Sequence, residues 1–175
     1  IATKTDFPIQ EIPADLHAGN IQWSPDQSKF AFIHTSDTRV DLFVVTIATK
    51  TAQKINQQPL NTLRGFSFVW AGNEKLVYKT VPANRNPMPE KIPAPAGPVI
   101  QESLGKQGAS RTYQDLIKNP YDEEMFTYLT TAQLMVNDFK TEQALGTPDI
   151  YSLVTVSPDN NYILVSTVTK PFSYL

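Results

Sequence analysis

Between Ile21 and Ile55 apolar and polar positions alternate in four short runs, IQW, KFAFIHT, VDLFVVTIA and TKTAQKI. A period of two, carried by aromatic and β-branched residues, predicts half-buried strands rather than helices. Ser24-Pro25-Asp26 separates the first pair and Ser36-Asp37-Thr38-Arg39 the second. Pro25 presets a turn φ and Asp26 can bond its own backbone, so both interruptions read as tight turns. The prediction is a four-stranded antiparallel meander.

The pattern recurs. FSFVWAGNEKLVYKTV, residues 66–81, aligns Trp70 with Trp23 and KLVYKTV with KFAFIHT, with Ala71-Gly72-Asn73 in place of the Ser-Pro-Asp turn. A third copy, IYSLVTVSPDNNYILVSTV at 150–168, restores Ser157-Pro158-Asp159 and puts Val156 at the tryptophan position. Trp23 and Trp70 are 47 residues apart, near the roughly 40–45 of a four-stranded propeller blade. Trp70 and Val156 are 86 apart, so one unit carries an insertion of about a unit's length.

Composition locates that insertion. Residues 82–98, PANRNPMPEKIPAPAGP, hold six prolines, each lacking the donor a central strand needs, and read as extended loop. Beyond them SRTYQDLIKN and NPYDEEMFTYLTTAQ are the helical candidates, capped by Ser110 and by Asn119 with Pro120 behind it. AQLMVNDFKTEQALG, residues 132–146, then resumes the strand pattern of the first meander's second half. The expected organisation is a lead-in at 1–20, blade 1 at 21–64, blade 2 at 65–146 interrupted at 82–131, and a truncated third blade at 147–175. The fold class is mainly β, an incomplete β-propeller of four-stranded antiparallel blades with a Pro-rich, partly helical insertion.

Overall composition narrows the chemistry. The 175 residues carry 15 basic and 17 acidic side chains, a formal charge of -2 that gives nucleic acid or an anionic membrane no basic footprint. No apolar run approaches the roughly 18 residues needed to span a bilayer. Absence of cysteine removes thiolate nucleophiles, disulfides and Cys-based metal sites, and no cofactor is expected. The chain starts at Ile1, which reads as a processed or trimmed start.

No motif completes a catalytic set. Gly65-Phe66-Ser67-Phe68-Val69 lacks the second glycine of a nucleophile elbow and reads as a strand. His17 and His34 have no ordered acid and nucleophile around them, and LGKQGAS at 104–110 has the wrong order for a phosphate loop. Asp122, Glu123 and Glu124 suit either a substrate's amino group or, as acids in a first helical turn, the helix dipole. Arg111 leads a polar and aromatic string, RTYQD, that suits either a substrate contact or an internal pair with Asp115.

Taken together, PAGPVIQESLGKQGASRTYQDLIKNPYDEEMF, TAQLMVNDFKT and SPDNNYILVSTVTKPFSYL resemble the amino-terminal β-propeller of serine peptidases of the prolyl oligopeptidase family, in the glutamyl endopeptidase-like branch. The resemblance covers most of residues 20–175, and RTYQDL and KPFSYL are its more specific strings; WSPD-type repeats occur in many propellers, TolB-type ones included. It implies a longer parent with further blades and a carboxy-terminal α/β-hydrolase domain holding a Ser-Asp-His triad, none of which falls in this sequence. The chain's own role is then non-catalytic, restricting peptide access to that active site. Related dipeptidyl peptidases hold a substrate amine on a propeller Glu-Glu pair, which Glu123-Glu124 resembles, while glutamate specificity calls for a cation, for which Arg111 is the insertion's candidate.

A bacterial parent, periplasmic or secreted rather than cytoplasmic, is the expected setting. The alternative is a stand-alone TolB-like module for protein binding or scaffolding. Since a closed propeller needs at least about four blades, this chain should expose blade faces and strand edges and be prone to self-association.

Overall fold

The computed structural model describes residues 6–91, 105, 117 and 119–172. Four strands form the first sheet in chain order: β1 (Ala18–Trp23), β2 (Lys29–Thr35), β3 (Val40–Thr46) and β4 (Thr51–Lys54). The second sheet has the same order: β5 (Phe68–Trp70), β6 (Leu76–Thr80), β7 (Ala132–Asn137) and β8 (Glu142–Asp149). A hairpin of β9 (Tyr151–Val156) and β10 (Ile163–Thr167) makes the third. All pairings are antiparallel. The mainly β architecture of successive meanders, the last with two strands, is that of an incomplete propeller.

The interruption of the second unit falls between its second and third strands, and β6 still pairs with β7 in unbroken register from Leu76↔Asn137 to Thr80↔Gln133. One helix, α1 (Pro120–Thr130), lies within the interruption. The helix expected over SRTYQDLIKN lies outside the described residues. β1 begins at Ala18, three residues before the alternation at Ile21, and is irregular between Gly19 and Gln22, where Asn20 takes a φ of 47°.

The two Ser-Pro-Asp turns are built alike. Each serine hydroxyl donates to its aspartate and accepts the amide five residues on, Lys29 N at 3.0 Å and Tyr162 N at 2.9 Å. Each serine amide donates to the carbonyl of that same residue, at 2.9 Å in both turns, and Gln27 and Asn160 take the left-handed positions at φ 61° and 59°. These bonds hold the Asp26 and Asp159 carboxyls below their ordinary values, chiefly the Ser28 amide for Asp26 and the Ser157 hydroxyl for Asp159. The middle turn is one residue shorter: Ala71 N bonds Lys75 O, and glycine supplies the positive φ at Gly72.

Alternation along each strand sends one set of side chains to each neighbouring sheet. At the first seam Ala31, Leu42 and Val44 of sheet 1 pack against Phe68, Leu76 and Tyr78 of sheet 2. At the second, Val77 and Leu134 of sheet 2 pack against Tyr151 and Val154 of sheet 3. Sheet 2 is bonded to the linker by Asn137 Nδ2, which donates to Ile55 O at 2.8 Å, and within the sheet the Tyr78 hydroxyl donates to Glu142 at 2.7 Å. Burial, reinforced by Glu142, raises the Tyr78 hydroxyl far above its ordinary pKa.

The second seam contains an exception to the repeat. Lys79 occupies the position of Ile33 in the first unit, as the pairings Lys79↔Leu134 and Ile33↔Leu42 show, and it is buried. Its ammonium donates to the Arg64 carbonyl and lies 4.9 Å from the Phe66 ring centroid. Burial, with a smaller contribution from Arg64, lowers its pKa to about 8. Beside it Gly65 is at φ 67°, and a Cβ there would stand 2.3 Å from Ser152 O.

Two outcomes follow. Gly65→Ala should lower stability by about 2 kcal/mol or more, read by denaturant unfolding, because both the dihedral and the Ser152 carbonyl oppose a side chain. Between pH 8 and 10.5 the unfolded chain keeps a proton on Lys79 that the folded chain has released, so stability should rise with pH across that window. Lys79→Ile, copying the first unit, should remove that rise in unfolding curves measured at successive pH values.

Candidate functional site

Since each strand reverses direction, the first and third turns of a sheet fall at one end, and its second connection falls at the other end with the segments between units. The linker at 55–67, the interruption after β6 and the segment leaving β10 therefore gather at one end, and the site is built there.

Helix α1 is fixed first by its own sequence. Asn119 is extended, and its side-chain oxygen accepts the Asp122 amide at 3.0 Å; Pro120 follows as the first helical residue. Asp122 and Glu123 sit in the first turn, where the helix dipole favours acids. At the other end Thr127, Thr130 and Thr131 return their hydroxyls to carbonyls four residues back, at 2.9, 2.7 and 2.7 Å. No residue of this 11-residue helix is buried. A helix so short and without a packed face is marginal alone, so its place is set by contacts at its margins.

Contacts with three other segments supply it. Asn61, buried in the linker, donates to Leu129 O at 2.9 Å and to Thr131 O at 3.1 Å, satisfying carbonyls at the helix end. Arg85, on the proline-rich limb, stacks its guanidinium 3.6 Å from the Tyr128 ring centroid and donates Nη2 to the Tyr128 carbonyl. On the far side Phe126 meets Phe172 edge to face at 4.8 Å, and Glu123 pairs with Lys170 at 3.0 Å. The insertion of unit 2 is thus tied to the linker before it and to the segment after unit 3.

A cleft of about 490 Å³ lies between the limb and the helix, with Arg85, Pro87, Pro89, Glu124, Tyr128 and Lys170 among its walls. Two neighbouring clefts flank the helix, about 520 Å³ toward Asp37, Arg39 and Leu63 and about 370 Å³ toward Ile150 and Phe172. Among the described residues Arg85 Nε is the only buried side-chain nitrogen or oxygen without a hydrogen-bond partner.

The expected site residues separate. Glu123 and Glu124 are consecutive on a helix and diverge by about 100°; Glu123 is taken up by Lys170, while Glu124 lines the cleft. Arg111 lies outside the described residues. Arg85 and Lys170 are cations brought to the cleft, and the only sequence signal of Arg85 is an arginine within a proline-rich run. His34 serves structure: buried, it accepts the His17 amide on Nδ1 at 3.2 Å and turns Nε2 toward Asp15 at 3.9 Å. Ser67 directly precedes β5, and no group of three or more possible metal ligands occurs among the described residues.

Removing the cap tests how α1 is held. Asn119→Ala should weaken the helix by about 1 kcal/mol, seen as roughly fivefold faster amide exchange in residues 122–131 with unchanged exchange in β2, β3 and β6.

No family model matches the chain. It is 31% identical, over 95% of its length, to a probable chloroplastic glutamyl endopeptidase of Oryza sativa subsp. japonica, and equally to one of Arabidopsis thaliana. It spans only 19% and 18% of those proteins, about a fifth of their length. Among solved structures, TolB from Acinetobacter baumannii overlays 89% of this chain and 28% of its own, with a TM-score of 0.48 and 9% identity. The resemblance to the propeller portion of glutamyl endopeptidase-like peptidases is therefore borne out by the curated relatives. Both are plant proteins named as chloroplastic, which lends no support to a bacterial source.

Proposed function

We propose that this chain is the non-catalytic propeller portion of a longer serine peptidase of the glutamyl endopeptidase kind, and that it restricts which peptides reach a hydrolytic centre carried on a separate α/β-hydrolase domain. The observation that carries this reading is the 31% identity over nearly the whole chain to two proteins named as such peptidases, of which it spans about a fifth. Blades supply shape and surface, while acyl transfer requires a nucleophile, a base and an orienting acid in one constellation.

The insertion end is the part of this chain we assign to peptide contact. Glu124 on the cleft wall offers a carboxylate to a peptide's amino or basic group, with Arg111 of the same insertion as a second contact. Glu123 contributes by holding Lys170, and so the helix, in place. A helix without buried residues, flanked by clefts, is displaced by an incoming chain with little loss of packing.

A serine-directed fluorophosphonate tests the division of labour. It should label the longer polypeptide at one serine outside these 175 residues and leave this chain unlabelled. Stoichiometric labelling of this chain would overturn the reading.

A further inference from the structure

Arg85 is a wall of two clefts at once, the one of about 490 Å³ between limb and helix and the one of about 520 Å³ toward Leu63. The two adjoin there as one trough, whose walls come mainly from the turn after β2, the linker, the limb and α1. Each half has the volume of a small-ligand site. On the limb side the helix contributes Glu124, Thr127, Tyr128 and Thr131, a stripe at i, i+3, i+4 and i+7, while Leu129 turns to the linker side.

The charges bordering the trough divide by whether they are already satisfied. All three cations are engaged: Arg39 bonds Asp41 at 2.6 Å, Lys170 bonds Glu123 at 3.0 Å, and Arg85 lies on the Tyr128 ring with Nη2 on the Tyr128 carbonyl. Both acids are open: Asp37 on the linker side and Glu124 on the limb side have no hydrogen bond or ion pair among the described residues. The charge offered to a ligand is therefore negative in both halves.

Beside these carboxylates stands an apolar wall. Leu63 and Leu129 both line the linker half and are 64% and 38% exposed, with Val81 next to them. Glu124 and Leu129 are five residues apart on the helix, about 9 Å between Cα atoms, which an extended chain covers in two to three residues. Across from the helix, Asn84 and Asn86 present carboxamides without partners among the described residues, each able to donate to and accept from a peptide main chain.

We infer that the trough takes an extended peptide segment in which one basic side chain meets Glu124, an apolar side chain two to three residues away seats on Leu63 and Leu129, and a second basic side chain meets Asp37. The inference rests on the assignment of the insertion end to peptide contact and narrows it to basic–apolar–basic segments, which need no free amino terminus.

Fluorescence anisotropy with dye-labelled peptides blocked at both ends tests it. A core of Lys-Ser-Leu-Ser-Lys, which puts its three long side chains on one face when extended, should bind this chain at least tenfold more tightly than the same peptide with glutamate at both lysines. Glu124→Gln, Asp37→Asn and Leu63→Ser should each weaken the lysine peptide at least threefold, Glu124→Lys should shift the preference toward the glutamate peptide, and Glu11→Gln in the lead-in should leave binding within twofold. Equal binding of the two peptides, or a lysine peptide indifferent to Glu124→Gln, would overturn the inference while peptide contact at this end stands. Binding of neither peptide would overturn both, and a dimer in light scattering that Leu63→Ser dissolves would then assign the trough to a second copy; the peptidase reading would still be judged by the serine probe.

Discussion

A β-sheet with apolar side chains on both faces is stable in water only when both faces are covered. That constraint organises this molecule. Each unit uses period-two alternation to send bulky residues such as Phe68, Leu76 and Tyr78 backward and smaller ones such as Ala31 and Val44 forward, and the seam between them is where burial accumulates. The hydrophobic contribution therefore belongs to pairs of units rather than to single ones, as in other repeat arrays. The bond of Asn137 to the linker and that of Tyr78 to Glu142 operate within that arrangement, closing the polar groups that a seam would otherwise strand.

Much of this was readable along the chain because its determinants are local. Ser-Pro-Asp turns, aromatic alternation and the proline density after Thr80 each act over a few residues, and they place the strands, the interruption and the Asn119-Pro120 helix start. Seam chemistry was not readable in the same way. In LVYKT the alternation would send Lys79 to water, yet it is buried with its ammonium on the Arg64 carbonyl and over the Phe66 ring, contacts made across the fold and not along the strand. Arg85 was equally silent: its role depends on a Tyr128 that lies 43 residues away.

The candidate site shows the same divide. That acids cluster at 122–124 follows from the sequence, but whether consecutive glutamates converge is a question of helical geometry and of what stands nearby. Lys170 reaches Glu123 from the segment that leaves β10, and Glu124 is left on the cleft wall. A surface of this kind, assembled from the linker, the limb and the segment after β10, is held by side chains from three separate stretches. Its helix accordingly has less to lose on moving than the sheets have.

The turns at the opposite end carry a further consequence. The amide of Asp26 is completed by Asn73 at 3.1 Å, and Lys29 reaches Glu74 at 2.7 Å, so the first unit's turn is finished by groups belonging to the second. Gly72 in turn lies against the Asn160 side chain of the third. Each rim loop thus leans on its successor, which gives the array a sense of direction: removing the first unit would leave the later turns their partners, whereas removing the third would take the Asn160 side chain from the second unit's turn.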